Sequence, residues 1–332
     1  MSSASTNRRR AIIAAAGVSV AALTLAGCTA GGGGNTEAAG GTLTIGTTEQ
    51  ITALDPAGSY DNGSFAVMNQ VYPFLLNTPY GSPDVEPDIA ESAEFTSPTE
   101  YTVKLKPGLK FANGNDLTAS DVKFTFDRQL AIADENGPSS LLYNLESTEA
   151  VDDTTVVFTL KSENDQIFPK ILSSPVGPIV DEDVFSPDEL TSDDDIVAGN
   201  AFAGQYVITS YDFNNLVAYK ANPDYQGLLG EAETETVNVK YYTDASNLKL
   251  DVQEGNIDVA HRTLSATDID DLRGNDNVKV VDGPGGEIRY LVFNFNTMPF
   301  GATTPEADPA KALAVRQAIA DLIDRDAISE DV

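Results

Sequence analysis

Few side chains in this sequence are placed to do covalent chemistry, and the first is its only cysteine, Cys28. Arg8, Arg9 and Arg10 precede an alanine-rich apolar run from Ala11 to Gly27, and Leu25-Ala26-Gly27 sets small residues directly before the thiol. A basic stretch, an apolar stretch and a small-residue cleavage point together make an export signal. The chemistry it points to is cleavage before Cys28 and diacylation of its sulfur, since two acyl chains anchor stably where one does not. The sole histidine, His261, has no Gly-x-Ser-x-Gly elbow to activate and cannot build a multi-histidine metal site. It reads as a surface or packed residue at a strand edge. Asp134-Glu135-Asn136-Gly137 and Asp193-Asp194-Asp195 lack the alternating ligands and closing glutamate of a calcium loop, and read as solvated acidic loops. No Gly-x-x-x-x-Gly-Lys-Ser/Thr phosphate loop occurs. No catalytic residue, metal or cofactor is therefore expected, and the chain reads as a binder, not an enzyme.

The opening resembles the start of a bacterial lipoprotein. Residues 1–27 are the signal peptide, Cys28 carries the lipid, and residues 28–41, with Gly31 to Gly34 among them, form a flexible tether. The expected location is the extracytoplasmic face of a cell membrane, held by the lipid. Arg9-Arg10-Ala11-Ile12-Ile13 fits a twin-arginine pattern, which exports folded chains, while an ordinary Sec signal explains the same basic residues. The apolar run falls short of the roughly 20 residues of a spanning helix. The chain carries 51 acidic and 20 basic residues, net −31, and losing the signal removes three arginines and no acid. Such a field disfavours nucleic acid and anionic headgroups as partners. With its one cysteine committed to lipid, the chain has no internal disulfide.

The elements that must position any site are short strands and helices in one α/β body. Order is expected to begin at Thr42-Leu43-Thr44-Ile45. Tyr101, Val103 and Leu105 alternate with polar residues as in a half-buried strand, and Thr155 to Leu160 repeats the pattern. Pro107-Gly108 and Asn113-Gly114 are turns. Thr118 and Asp121 form a capping box for a helix that sets Val122, Phe126, Gln129 and Leu130 on one face. Tyr206 to Ser210 and Leu216 to Lys220 make a hairpin around Asp212-Phe213-Asn214-Asn215. Val237 to Tyr242 and Val278 to Val281 add strands. Asp308 and Pro309 start a last helix with Val315, Ile319, Leu322 and Ile323 on one face, and little sequence follows to cover that face.

Six segments in order resemble the extracellular solute-binding proteins of the peptide/nickel ABC-transporter family, family 5. They are Leu54-Asp55-Pro56-Ala57, the run Tyr101 to Phe124, and Asn222-Pro223-Asp224-Tyr225 shortly after Gly204-Gln205-Tyr206. Gly255-Asn256-Ile257-Asp258-Val259, Phe293-Asn294 with Pro299-Phe300, and Val315-Arg316-Gln317-Ala318-Ile319 with Ile323 to Ile328 complete the set. The resemblance implies a periplasmic-binding-protein-like fold of type II, two lobes closing on a hinge. It places the first lobe at 42–286, with an inserted subdomain at about 61–174, and the hinge and start of the second lobe at 287–332. Most of the second lobe lies beyond the family's matching helix, so that lobe is expected to be incomplete here. The implied function is capture of short peptides outside the cell and delivery to ABC permease subunits in the membrane. A truncated, non-transporting surface sensor, or a binder of another solute such as a nickel chelate or a sugar, is the alternative. The implied ligand contacts are Tyr60, Asp61 and Asn62 beside the Leu54-Asp55-Pro56 strand end, and Arg289, Tyr290 and Asn294 in the hinge strand. An Asp-Asn-Gly turn accounts equally for the first group and a salt-bridged or exposed arginine for Arg289. Asn294 can instead fix hinge geometry. Asp55, Pro56, Thr118, Asp121, Asp324 and Arg325 are read as structural.

Overall fold

A computed structural model describes residues 41–283 and 290–331. Cys28, the signal and tether, and Arg289 lie outside the described residues. In chain order the elements begin with β1 (Thr42–Thr47), α1 (Asn62–Val71), β2 (Leu76–Asn77), β3 (Glu86–Pro87), β4 (Ala90–Ser97), β5 (Glu100–Leu105) and α2 (Ala119–Ile132). Next come β6 (Leu145–Asp152), β7 (Thr155–Leu160), α3 (Phe168–Ile171), α4 (Asp193–Gly199), β8 (Tyr206–Asp212), β9 (Leu216–Ala221) and β10 (Thr236–Tyr241). The series closes with α5 (Ala245–Glu254), β11 (Val259–Ala260), α6 (Ala266–Arg273), α7 (Pro309–Leu322) and α8 (Arg325–Asp331).

Two sheets organise the body. The first runs β11-β1-β10-β9-β8, with β1 parallel to both β10 and β11 and the remaining pairs antiparallel. Period-2 alternation sends Leu43, Ile45, Val237, Val239, Val217, Tyr219 and Ile208 to one face, where Val67, Met68 and Val71 of α1 join them in a core. On the opposite face Gly46 leaves room for Leu248 of α5 and for Ile257, whose methyls would lie 2.6 and 2.7 Å from an added Cβ. The second sheet, β4-β5-β7-β6, is wholly antiparallel. Tyr101, Val103 and Leu105 of β5 pair alongside Val156, Phe158 and Leu160 of β7, and α2 covers them, with Phe126 edge-on to Phe158 at 5.0 Å between ring centres. Helix α1 lies inside the span 61–174 expected for the inserted subdomain. Its apolar residues nevertheless belong to the first sheet's core, so the polypeptide packed on the second sheet starts at Leu75.

Local chemistry sets the helix starts. Thr118 and Asp121 form the expected capping box on α2, and Asp308 caps α7 by accepting from the Ala310 and Lys311 amides with Pro309 at the first position. Three expectations need correction. Leu130 is 40% exposed, because the buried stripe of α2 runs through Asp121, Val122, Thr125, Phe126, Arg128 and Gln129, one step round from the apolar reading. Val278–Val281 is not a strand: among the described residues it pairs with none, and the Val278 amide donates back to the Asn275 carbonyl in a turn. Tyr290 to Asn294, expected in a hinge strand, is likewise unpaired, and a turn follows at 295–297. As the sequence warned, α7 buries little: Ala312 is its buried residue and Leu322 is 84% exposed.

Buried polar groups lock the two halves together. Asp55 accepts from Arg128 Nη1 and Nη2 at 2.8 and 2.9 Å, from the Ala57 amide at 2.9 Å and from the Thr191 amide at 2.8 Å. Arg128 also donates to the Ser186 and Glu189 carbonyls and stacks over Phe185. Asp88 takes the Tyr225 hydroxyl at 2.9 Å and the Leu228 and Phe74 amides. Asp181 takes Asn113 and Asn115, while Asp121 takes the Glu182 amide. Removing one partner of a buried pair leaves an uncompensated charge, which costs about 3–5 kcal/mol. Arg128→Met is therefore expected to lower the free energy of urea unfolding by about that much, and a loss under ~1 kcal/mol would contradict this role.

Burial pushes the Asp121 carboxyl up to about 6, against hydrogen bonds from the Thr118 and Glu182 amides that pull it down. The folded state thus holds this proton more tightly than the unfolded state, where the group titrates near 3.8. Asp121 adds stability below 3.8 and loses that contribution as pH rises toward about 6. Urea unfolding of wild type and Asp121→Asn from about pH 7 to pH 4 is expected to show the difference moving in favour of wild type as pH falls. A constant difference would exclude the linkage.

Candidate functional site

The segment between β1 and α1 is held at almost every residue. The Ile51 amide donates to Asn214 Oδ1 at 2.6 Å, and Asn214 Nδ2 returns a bond to the Ile51 carbonyl at 2.9 Å. Asn214 can do this because it occupies the left-handed region, φ 51°, at the tip of the β8–β9 hairpin. The Thr52 amide donates to Ser64 Oγ, and the Leu54 amide to Asp193 Oδ1 at 2.8 Å. Asp193-Asp194-Asp195 is thus no solvated loop. It forms the first turn of α4, capped by Ser192, where three carboxylates meet the positive end of the helix. Asp193 also accepts the Tyr211 hydroxyl at 2.6 Å. Asp55 caps the short 3-10 turn Pro56–Gly58, and Asp61 caps α1 through Oδ1, which accepts the Ser64 amide at 2.8 Å. The turn reading of Asp61 therefore has a physical basis in this cap.

Opposite this segment stands a loop from the second half, after α2. Its Gly137 packs so closely that an added Cβ would sit 2.0 Å from the Ala57 carbonyl oxygen. Asp134 shapes the loop by accepting the Asn136 amide on its side chain and the Gly137 amide on its carbonyl. Between the two loops, Thr52, Tyr60, Asp61, Glu135, Asn136 and Gly137 line a crevice of about 310 Å³. Tyr60, 52% exposed, and Glu135 present a hydroxyl and a carboxylate to it, and Asp61 Oδ2 is buried without a hydrogen-bond partner. The set is rich in acceptors and contains no basic side chain, so it suits groups that donate.

The structure brings Tyr60 and Asp61 together here, while Asn62 opens α1 and does not line the crevice. Tyr290 is 77% exposed and Asn294 accepts the Asn296 and Thr297 amides in a turn; neither lines the crevice. Glu135, Asn136 and Gly137 were legible only as a solvated acidic loop, because their meeting with Tyr60 needs the α2 placement that Arg128 and Asp55 fix. A larger cavity of about 610 Å³ lies against the first sheet, with Leu43, Ile45, Val237 and Val239 on its sheet side and Ala66 and Gln70 of α1 on the other. Exposed Glu231 and Glu233 and His261 also line it. Burial draws the His261 imidazole below its ordinary value, with Glu49 opposing. Gly63, two residues after Asp61, lines this cavity, so the first turn of α1 contributes to both spaces.

Two sheets joined at loops that enclose a polar crevice give the framework of a ligand-binding protein, and the fold is that of the type II periplasmic binding proteins. The chain belongs to the bacterial extracellular solute-binding proteins, family 5, whose middle region matches residues 84–332. It is 29% identical over 280 residues to the probable D,D-dipeptide-binding periplasmic protein DdpA of Escherichia coli K12, covering 82% of this chain and 52% of that protein. It is 27% identical over 346 residues to the oligopeptide-binding protein AppA of Bacillus subtilis 168, covering 98% of this chain and 59% of AppA. The structure of AppA in complex with a nonapeptide superposes with a TM-score of 0.61 and 26% identity, over 73% of this chain and 47% of AppA. The chain spans about half the length of the curated relatives it matches. Among the described residues no helix is long and apolar enough to cross a membrane.

The close approach of Gly137 gives a test of the crevice wall. Gly137→Ala must displace the loop or the Ala57 turn, and overpacking of this kind costs about 1–3 kcal/mol. The expected result is a lowered melting temperature with shifted amide resonances at residues 55–61 and 134–137. Unchanged resonances at 55–61 would show that the two loops are not in contact.

Proposed function

We propose that this chain is a solute-binding component of an ABC importer that captures short peptides outside the cell and hands them to a membrane permease. The observation that carries this reading is the family match over residues 84–332, joined to relatives named for dipeptide and oligopeptide binding. The chain binds its solute and leaves it unaltered. Residues 42–286 form the first lobe, and residues 287–332 the hinge and the start of the second. Cys28 carries the lipid that keeps the body at the outer face of the membrane after residues 1–27 are removed. The crevice at Tyr60, Asp61 and Glu135 supplies first-lobe contacts to the ligand, and Arg289, Tyr290 and Asn294 supply contacts from the hinge, where an extended peptide can pair its backbone.

Native mass spectrometry of protein released from the membranes of its host tests both parts. The expected spectrum shows a chain beginning at Cys28 with diacyl mass and a co-purified peptide. A Cys28→Ser variant is expected to lack that mass and to leave the membrane fraction. A nickel chelate or a sugar in place of peptide would replace the ligand assignment. In the same protein Tyr60→Ala and Tyr290→Ala are expected to weaken peptide affinity by about tenfold each without lowering the melting temperature. Unchanged affinity in both would remove these residues from the site.

A further inference from the structure

The cavity against the first sheet plays no part in the reading above. β1 and β10 are interior strands with neighbours on both sides, yet Leu43, Ile45 and Val239 on them are only half-buried. Their cover is thin because α1 presents small residues to the space. Gly63 and Ala66 line it with Val67 and Gln70, the i, i+3, i+4, i+7 stripe of one helix face, and Ala66 is exposed. The volume left, about 610 Å³, lies well inside the range of small-molecule sites. The tyrosines that line it add ring surface more than free polar groups. The Tyr206 hydroxyl is spent on the Thr234 carbonyl at 3.0 Å and the Tyr80 hydroxyl on Gln205 Oε1 at 3.2 Å, while Tyr219 and Tyr241 bond to each other. The walls are therefore largely apolar as presented, and an occupant gains by burying apolar surface against them.

Charge is uneven along this floor. Because β1 runs parallel to β10 and β11, Glu231 and Glu233 precede the starting end of β10, while Glu49 and His261 follow the far ends of β1 and β11. At the far end Glu49 is paired with Arg262 at 3.6 Å. At the near end two exposed glutamates line the space, and no lysine or arginine lines it anywhere. Glu233 stands close enough to Tyr80 for its charge, second to burial, to raise that hydroxyl. We propose that this cavity binds an amphipathic organic cation, its apolar body on the sheet floor and its ammonium beside Glu231 and Glu233. The site is separate from the crevice at Tyr60 and does not depend on the peptide reading. A neutral analogue keeps the burial and loses the charge attraction, and an anion meets two like charges.

Phenethylammonium, phenethyl alcohol and hydrocinnamate share one apolar body and differ in charge, and methylammonium has the charge without the body. Each is titrated into the full chain, with methyl chemical shifts giving both the site and the affinity. The shifts are expected on Leu43, Ile45, Val237 and Val239. The ammonium is expected to bind best, the alcohol about fivefold more weakly and the carboxylate about fivefold more weakly again, steps of the size of an exposed ion pair. Methylammonium is expected to leave these methyls unmoved. With Glu231→Gln and Glu233→Gln combined, or in high salt, ammonium and alcohol are expected to come within about twofold. Ala66→Phe fills the space from an exposed helix position and is expected to weaken the ammonium at least about tenfold without lowering the melting temperature. No shift at those methyls, or equal affinities for the three phenyl probes, would overturn the site. A dimer in sedimentation that Ala66→Phe dissolves would overturn it too, because a second copy would then cover the face. Trialanine that moves the Ile45 methyl where phenethylammonium does not would give the cavity to the peptide and remove the cation.

Discussion

Asp55 and Arg128 meet at 2.8 and 2.9 Å with both side chains buried, and the positions of both halves of the body depend on that contact. Neither charge is tenable there alone. A carboxylate taken out of water needs compensation at each oxygen, and Asp55 receives two guanidinium donors and two backbone amides. Arg128 spends its remaining donors on the Ser186 and Glu189 carbonyls, so the 186–191 loop is fixed by the same pair. A fully satisfied network of this kind adds little stability beyond an apolar plug of the same volume, but it admits one geometry. That geometry sets α2 against the 3-10 turn at Pro56–Gly58 and so decides how the loop following α2 faces Tyr60 and Asp61.

Acidic residues make up much of this chain, and the structure separates them into two populations. Asp55, Asp88, Asp121 and Asp181 are buried, and each accepts at least one hydrogen bond from a residue far along the chain. Burial raises the carboxyls of Asp88 and Asp121, with hydrogen bonds opposing. Exposed caps behave in the opposite sense: the Ser246 amide and hydroxyl hold Asp244 low, and Ser265 with Lys249 holds Asp268 low. A composition that reads simply as a solubilising surface therefore hides several polar joints, because sequence gives the charge and not the neighbours.

That limit explains what was legible beforehand. The capping box at Thr118, the alternation of β5 and β7, the hairpin around Asn214 and the proline start of α7 are local, decided by residues a few positions apart, and they were readable. The fold class was readable through the family resemblance. What escaped depends on contacts far along the chain. Arg128 carried no sequence signal of its buried role, because its partner Asp55 is 73 residues away. Asp193 looked solvated because Leu54 and Tyr211, which occupy it, lie outside its own loop. Val278–Val281 has the pattern of a strand but pairs with none among the described residues, and β pattern specifies a face, not a partner.

The site shows the same division at the scale of one side chain. Asp61 must start α1, and α1 must stay seated for the first sheet's core to close over Val67, Met68 and Val71. Oδ1 carries the cap by accepting the Ser64 amide, while Oδ2 is buried without a hydrogen-bond partner. Gly63 in the same turn has no room for a side chain: an added Cβ would lie 2.0 Å from the Gln50 carbonyl oxygen, so the start of α1 sits directly against the segment that leaves β1.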